Sequence, residues 1–213
     1  MKTHNQKMIS VIGALTLLGL VSISVFAGDP VTEFNLSQFS PDQSLWSEKA
    51  IGKFEKAKIT DEVPLALLRI ERLNIDVPVY TGTSKITLDR GLGAVAGTAS
   101  PGEVGNIGLS GHRDSYFRPL KDVKLGDNIE MQTPEGTQYF EVSDISIVDA
   151  LDVSVLDPTD TTVLTLITCH PFYYQGYAPD RYIVRATPVG KPGDNVQKPD
   201  LEASRTSVVK GLH

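Results

Sequence analysis

Thr162-Val-Leu-Thr-Leu-Ile-Thr-Cys169 runs into His170-Pro171 and is followed, after the 11-residue loop His170–Asp180, by Arg181-Tyr-Ile-Val-Arg-Ala186. The first run is rich in β-branched and apolar residues, is bounded by Asp, Thr and Pro, and reads as a strand; so does the second. Upstream, the same strand-like texture recurs at Leu65–Ile70, Ile75–Tyr80, Asn106–Ser110, Asn128–Thr133 and Thr137–Val148, mostly separated by Gly, Pro, Asp or Asn. Pro134-Glu135-Gly136 between two of these runs signals a hairpin. Many short strands with little helix between them point to a mainly β, closed or nearly closed barrel.

Outside that region the chain changes character. Residues 29–43, with Pro30 and Pro41, read as a tether. From Ser44 to Lys58 the apolar residues Leu45, Trp46, Ala50, Ile51, Phe54 and Ala57 recur at helical spacing. The spacing predicts one amphipathic helix, docked on the domain or lying on a membrane surface, and core packing is the simpler role for Trp46. Beyond Val189, Lys191-Pro-Gly-Asp-Asn-Val-Gln-Lys-Pro199 marks the domain's end and a loose tail.

Met8 to Ala27 contains 20 residues without a charge. As a helix it would extend roughly 30 Å, the thickness of a bilayer's hydrocarbon core. Lys2 and Lys7 precede it and Asp29 follows it, which places the N-terminus on the cytoplasmic side and everything after residue 28 outside. A cleaved signal peptide is the competing reading. Val25 fits a cleavage site poorly and the run exceeds an ordinary signal core of about 7–15 residues, which favours an uncleaved anchor. The expected organisation is therefore a cytoplasmic tip and anchor at 1–28, a tether and amphipathic helix at 29–63, a catalytic domain at 64–189 and a tail at 190–213, in a cell-membrane protein facing outward.

The chain has 213 residues, of which 40% are hydrophobic and 22% charged, so it can bury a core and is not dominated by disorder. Its net charge is −6; the two lysines before Asp29 leave 20 − 2 = 18 basic against 26 acidic residues from Asp29 onward, a balance of −8. With no basic stripe, nucleic acid is excluded as a partner class.

Cys169 is the single cysteine, so no intrachain disulfide can form. A buried structural thiol is the plain explanation by composition. In an exported domain, however, a lone thiol needs a reason. A strand whose last residue offers a nucleophile to a loop is a sound catalytic position, because the sheet holds the side chain while the loop admits substrate. A free thiol is only about 3% thiolate at neutral pH, and a catalytic one usually has a basic or cationic neighbour. Of the four histidines, His4 lies before the apolar run and His213 ends the tail. His170 follows the cysteine directly and, on a strand, points to the other face. That leaves His112, in Gly105-Asn-Ile-Gly-Leu-Ser-Gly-His112-Arg-Asp-Ser-Tyr-Phe-Arg118. Acyl transfer also needs a donor for the charge that develops on the carbonyl oxygen. If the strand it opens pairs with the Cys169 strand, Arg181 lies beside the cysteine, while Arg185 falls further down and reads as solvated surface. No Cys-x-x-Cys or His-x-x-x-His spacing supports a metal, and Gly91-Leu-Gly93 lacks the remaining features of a phosphate loop; no cofactor is expected.

Thr165-Leu-Ile-Thr-Cys169 resembles the Thr-Leu-x-Thr-Cys nucleophile motif of the sortase family of surface-protein transpeptidases. Gly105 to Asp114 is similar to the family's histidine segment, and Arg181-Tyr-Ile-Val to the start of its final strand. The order of the three also agrees, and the similarity extends from about Leu65 to Pro188. Cys169-His170-Pro171-Phe172 and His112-Arg-Asp-Ser-Tyr-Phe resemble most the class D-like or proteobacterial members. The resemblance implies an eight-stranded barrel behind one N-terminal membrane helix, with Cys169, His112 and Arg181 around one groove and Thr168 helping to position substrate. No acidic cluster like the calcium site of some sortases is evident. It further implies cleavage of a C-terminal sorting signal, Leu-Pro-x-Thr-Gly or a variant, and transfer of the acyl group to an amine of the envelope or of a protein. Transfer to water, as in an exported cysteine hydrolase, and a non-catalytic anchored barrel are the alternatives. Specificity should reside in Ala150–Thr161, which offers Leu151, Val153, Val155 and Leu156, and in His170–Asp180, where Phe172, Tyr173, Tyr174 and Tyr177 either line the groove or pack the loop.

Overall fold

The computed structural model describes residues 40–57, 62–174 and 176–191. The apolar run at 8–27, most of the tether and nearly all of the tail lie outside them. Among the described residues no helix is long and apolar enough to cross a membrane.

Eight strands close a barrel. In chain order they are β1 (Ala66–Ile70), β2 (Ile75–Thr81), β3 (Leu92–Ala94), β4 (Asn106–Ser110), β5 (Asn128–Thr133), β6 (Gly136–Asp149), β7 (Val163–His170) and β8 (Asp180–Val189). Around the barrel the order is β1-β2-β3-β4-β7-β8-β6-β5, with β5 returning to β1. Closure leaves no open sheet edge, and it satisfies the backbone of every strand from both sides. Two pairings, β2 with β3 and β4 with β7, are parallel; the rest are antiparallel.

The seven strands expected from the sequence are present. β3 is the one that periodicity does not announce, because it is three residues long and flanked by glycine. It exists because those glycines let backbones meet: a Cβ on Gly93 would sit 2.2 Å from the Gly82 carbonyl oxygen, and one on Gly91 would sit 2.5 Å from that of Pro78. The Pro134-Glu135 turn closes the β5–β6 hairpin as expected, with Thr133 opposite Gly136.

The barrel interior is filled by alternate residues of each strand. Leu164 and Leu166 of β7, Leu109 of β4, Ile129 and Met131 of β5 and Phe140 of β6 are all completely buried. The amphipathic helix, α1 (Glu48–Ala57), starts four residues later than the apolar pattern suggests. Ser47 sets its start: the hydroxyl accepts the Ala50 N–H (3.1 Å) and donates to Asp114 (3.2 Å), capping the helix and docking it on the segment after His112. Trp46 packs edge-on against Tyr116 and Phe54, with ring centroids 4.6 and 5.7 Å away. Of the two expectations for this helix, packing on the domain is the one observed. A second short helix, α2 (Lys85–Arg90), is capped by Ser84 and lies against α1.

Candidate active site

Period two along β7 decides what Cys169 faces. Leu164 and Leu166 point into the barrel, so Thr165, Ile167 and Cys169 share the outer face. β8 is antiparallel to β7 in a register that sets Cys169 opposite Arg181, Ile167 opposite Ile183 and Thr165 opposite Arg185. Directly opposed residues have Cβ atoms roughly 4.5–5.5 Å apart, which makes Cys169 and Arg181 neighbours on one face. His170 belongs to the other face: its ring stacks on Tyr182 and meets Phe172 edge-on, each with a centroid separation of 6.0 Å.

The parallel pairing of β4 with β7 supplies the histidine. Ser110 lies opposite Ile167, and the ladder continues one step as the Gly111 N–H donates to the Ile167 carbonyl (3.1 Å). The Thr168 hydroxyl then donates to the Gly111 carbonyl (2.7 Å). Next in the chain, His112 receives hydrogen bonds on its own carbonyl from the Phe117 and Ser115 amides, which turn the chain away sharply. Gly111 is required by packing, since a Cβ there would meet Leu92 at 2.6 Å and Phe117 at 2.7 Å.

The result is a groove of about 360 Å³ whose walls include His112, Cys169 and Arg181, together with Leu156, Ile167 and Thr168. Cys169 is half-buried and unpaired. The Arg181 guanidinium donates through Nη1 to the carbonyls of Ala178 (3.2 Å) and Asp180 (2.9 Å), which anchors it and leaves its other N–H groups for the groove. Burial holds the His112 imidazole below its ordinary pKa range; Lys53 pushes the same way, while Asp114 and Asp89 oppose it. Burial thus favours the neutral imidazole, which can accept a proton, over the cation.

Of the residues the sequence nominated for substrate contact, Leu156 and Thr168 line the groove and Tyr173 and Tyr174 do not. The hydroxyl of Thr168 is committed to Gly111, and the residue is only 2% exposed. Tyr173 is 74% exposed and Tyr174 48%, and the Arg118 guanidinium sits 4.5 Å from the Tyr173 ring centre. The loop that carries them is held instead by its backbone: Arg113 donates to the carbonyls of Tyr174 (2.8 Å) and Gly176 (3.0 Å), and Arg118 to that of Phe172 (2.5 Å).

Arg185, read from sequence as solvated surface, is half-buried and donates to the Val155 carbonyl at 3.0 Å. Asn106 reaches the same loop, donating to the carbonyls of Val155 and Asp157 (3.0 Å each) and accepting the Thr165 hydroxyl (2.6 Å). These bonds hold Leu156 over the groove. For Asn106 the available sign was an amide opening an apolar strand; for Asp89, which stands behind His112, no local sign exists. Among the described residues no group of three or more His, Cys, Asp or Glu side chains could hold a metal ion.

The family model of the sortase domain matches residues 68–189, more than half of the chain. The chain belongs to the sortase family. Sortase D of Bacillus subtilis is 36% identical over 119 residues, covering 55% of this chain and 60% of that one. Sortase SrtE1 of Streptomyces coelicolor is 32% identical over 180 residues, or 76% and 50%. The chain thus spans between half and three-fifths of the length of these curated relatives. Among solved structures, a Clostridium perfringens sortase D5 transpeptidase superposes with a TM-score of 0.55 at 27% identity, over 70% of this chain and 92% of that one. Sortase A of Corynebacterium diphtheriae gives 0.57 at 28% identity, over 73% and 75%.

Proposed function

We propose that this sortase is a membrane-anchored cysteine transpeptidase, with Cys169 as nucleophile, His112 as general acid and base, and Arg181 as oxyanion donor. The observation that carries the reading is the convergence of three chain segments on one groove: Cys169 and Arg181 stand opposite each other across β7 and β8, and His112 lines the same wall.

The substrate is a surface protein presenting an extended C-terminal sorting signal of the Leu-Pro-x-Thr-Gly type. His112 takes the thiol proton as the Cys169 sulfur adds to the scissile carbonyl carbon, and the guanidinium of Arg181 hydrogen-bonds the oxygen as it becomes negative. Collapse breaks the C–N bond; His112 returns the proton to the departing amine, leaving a thioester on Cys169. An amine of the envelope or of another protein then gives up a proton to His112 and attacks that thioester, releasing the sulfur. Residues 8–27 hold the domain at the outer face of the cell membrane, where such signals emerge.

The test is a sorting-signal peptide incubated with the full chain, with and without an amine nucleophile, followed by mass detection of the acyl-enzyme and of the ligated product. Hydrolysis alone, indifferent to added amine, replaces the transpeptidase by a hydrolase; no acyl-enzyme at all refutes both. Cys169→Ala should abolish turnover without unfolding the chain. His112→Ala and Arg181→Ala should each lose at least about 10²-fold.

A further inference from the structure

Asp89 is a carboxylate placed where few carboxylates are found. It is 8% exposed, on the short helix α2, and none of the chemistry above uses it. Its Oδ2 meets Lys85 at 3.2 Å, one turn earlier on the same helix. Its Oδ1 points toward the groove wall, 3.3 Å from Nε2 of His112 and 3.6 Å from Nζ of Lys53 on α1. Both Oδ1 and Nε2 are fully buried, and neither makes a hydrogen bond. The two atoms are at hydrogen-bonding distance but out of line.

A histidine has two ring nitrogens, and which of them carries the proton in the neutral form follows from the bond the other makes. With Nε2 buried against a carboxylate, the proton belongs there, and Nδ1 is the nitrogen left for the groove.

We infer that Asp89 is the positioning residue of the His112 acid–base: its carboxylate accepts the Nε2 proton, fixes the Nε2–H tautomer and keeps the Nδ1 lone pair turned toward Cys169. This rests on the proposed role of His112. In the neutral state Nδ1 takes the thiol or amine proton; in the charged state Nδ1–H delivers it to the leaving amine, while Asp89 faces the positive ring. Asp89 touches no substrate atom and acts only through the imidazole.

The groups facing the ring come from every element around it. Asp89 on α2 and Asp114 in the following turn favour the cation; Lys53 on α1 opposes it, and Cys169 of β7 and Arg181 of β8 share its groove. Lys53 and Lys85 also face Asp89, at 3.6 and 3.2 Å, and the buried phenol of Tyr116 lies near it. α1 therefore contacts the acid–base system through Lys53, not only through its apolar face.

The first measurement needs no variant. Histidine ring ¹⁵N spectra of the full chain at about pH 7.5, with the His112 signals assigned by their loss in His112→Gln, should show Nε2 protonated and Nδ1 bare. An Nδ1–H tautomer overturns the proposal. In Asp89→Asn, nearly isosteric but uncharged, the His112 titration should move to lower pH. The His112 limb of the kcat–pH profile should move with it, and kcat should fall by about 10²-fold while KM changes little. A rate loss with the titration and tautomer unmoved assigns Asp89 a purely structural role and overturns the proposal, as does a wild-type rate. The spectra do not depend on turnover. Absence of an acyl-enzyme on wild-type protein therefore removes the proposed function without touching the tautomer, and a wrong tautomer removes Asp89 without touching the proposed function.

Discussion

Replacing Thr168 by valine removes one hydroxyl and leaves the shape of the side chain almost unchanged. In the folded protein that hydroxyl donates to the Gly111 carbonyl at 2.7 Å, and Thr168 is only 2% exposed, so water cannot substitute. Leaving a buried acceptor without its donor costs about 1–3 kcal/mol. For a barrel of this size each kcal/mol shifts Tm by roughly 3–5 °C, so a loss of about 2 kcal/mol lowers it by roughly 6–10 °C. Thr168→Ser is the control: it keeps the hydroxyl and deletes a methyl, which costs about 1 kcal/mol, or roughly 3–5 °C. The assay is thermal unfolding of the full chain followed by near-ultraviolet circular dichroism. Because the bond also joins the Cys169 strand to the residue before His112, kcat should fall more in the valine variant than in the serine variant. If serine destabilises more than valine, Thr168 acts by packing, and the claim that its hydroxyl couples the two strands is wrong.

Gly111→Ala forces a methyl to within 2.6 Å of Leu92 and 2.7 Å of Phe117, both fully buried; overpacking of this kind costs about 1–3 kcal/mol, and activity should fall further than stability because His112 is the next residue. Asn106→Ala removes the donors to Val155 and Asp157; KM for a sorting-signal peptide should rise several-fold while the rate of Cys169 alkylation stays near wild type, since the change loosens the Leu156 wall and leaves the nucleophile in place. Asp127 accepts both Nε and Nη2 of Arg72 at 2.5 Å, and that bond, with the Lys124 amide, holds its pKa below the usual carboxylate value against burial. A carboxylate whose pKa is lower folded than unfolded adds stability that is complete above about pH 4 and lost as pH falls through the folded value. Urea midpoints measured from pH 6 down to pH 2.5 should therefore drop more steeply for wild type than for Asp127→Asn, with the two curves converging at the acid end; parallel curves would refute the assignment.

The parts of the site legible in the sequence are those that a single strand determines. Cys169 faces the groove because it is two residues from Ile167 and three from the buried Leu166, and His170 faces away for the same reason; period two is local and needs no partner. Arg181 required one further assumption, that its strand pairs beside the cysteine strand, and the short intervening loop made that pairing natural. Arg185 reads as surface from sequence because its partner, the Val155 carbonyl, lies on a loop 30 residues away that has no pattern of its own. Tyr173 and Tyr174 stand out in the sequence only as aromatics in a loop; what holds that loop is its backbone carbonyls, bonded to Arg113 and Arg118, and neither ring lines the groove.

By itself, the sequence determined that the chain is a β-barrel with a cysteine at a strand end, a histidine after another strand and an arginine at the start of the last one. These follow from alternation, turn residues and elimination, all of which act over a few residues. Only the tertiary structure decided which groups stand behind those three. Asp89 is 23 residues from His112, and Gly111 is 57 residues from Thr168. Contacts at that separation exist because β4 and β7 pair in parallel and β3 squeezes between β2 and β4. Both are consequences of barrel closure, which no stretch of chain encodes alone.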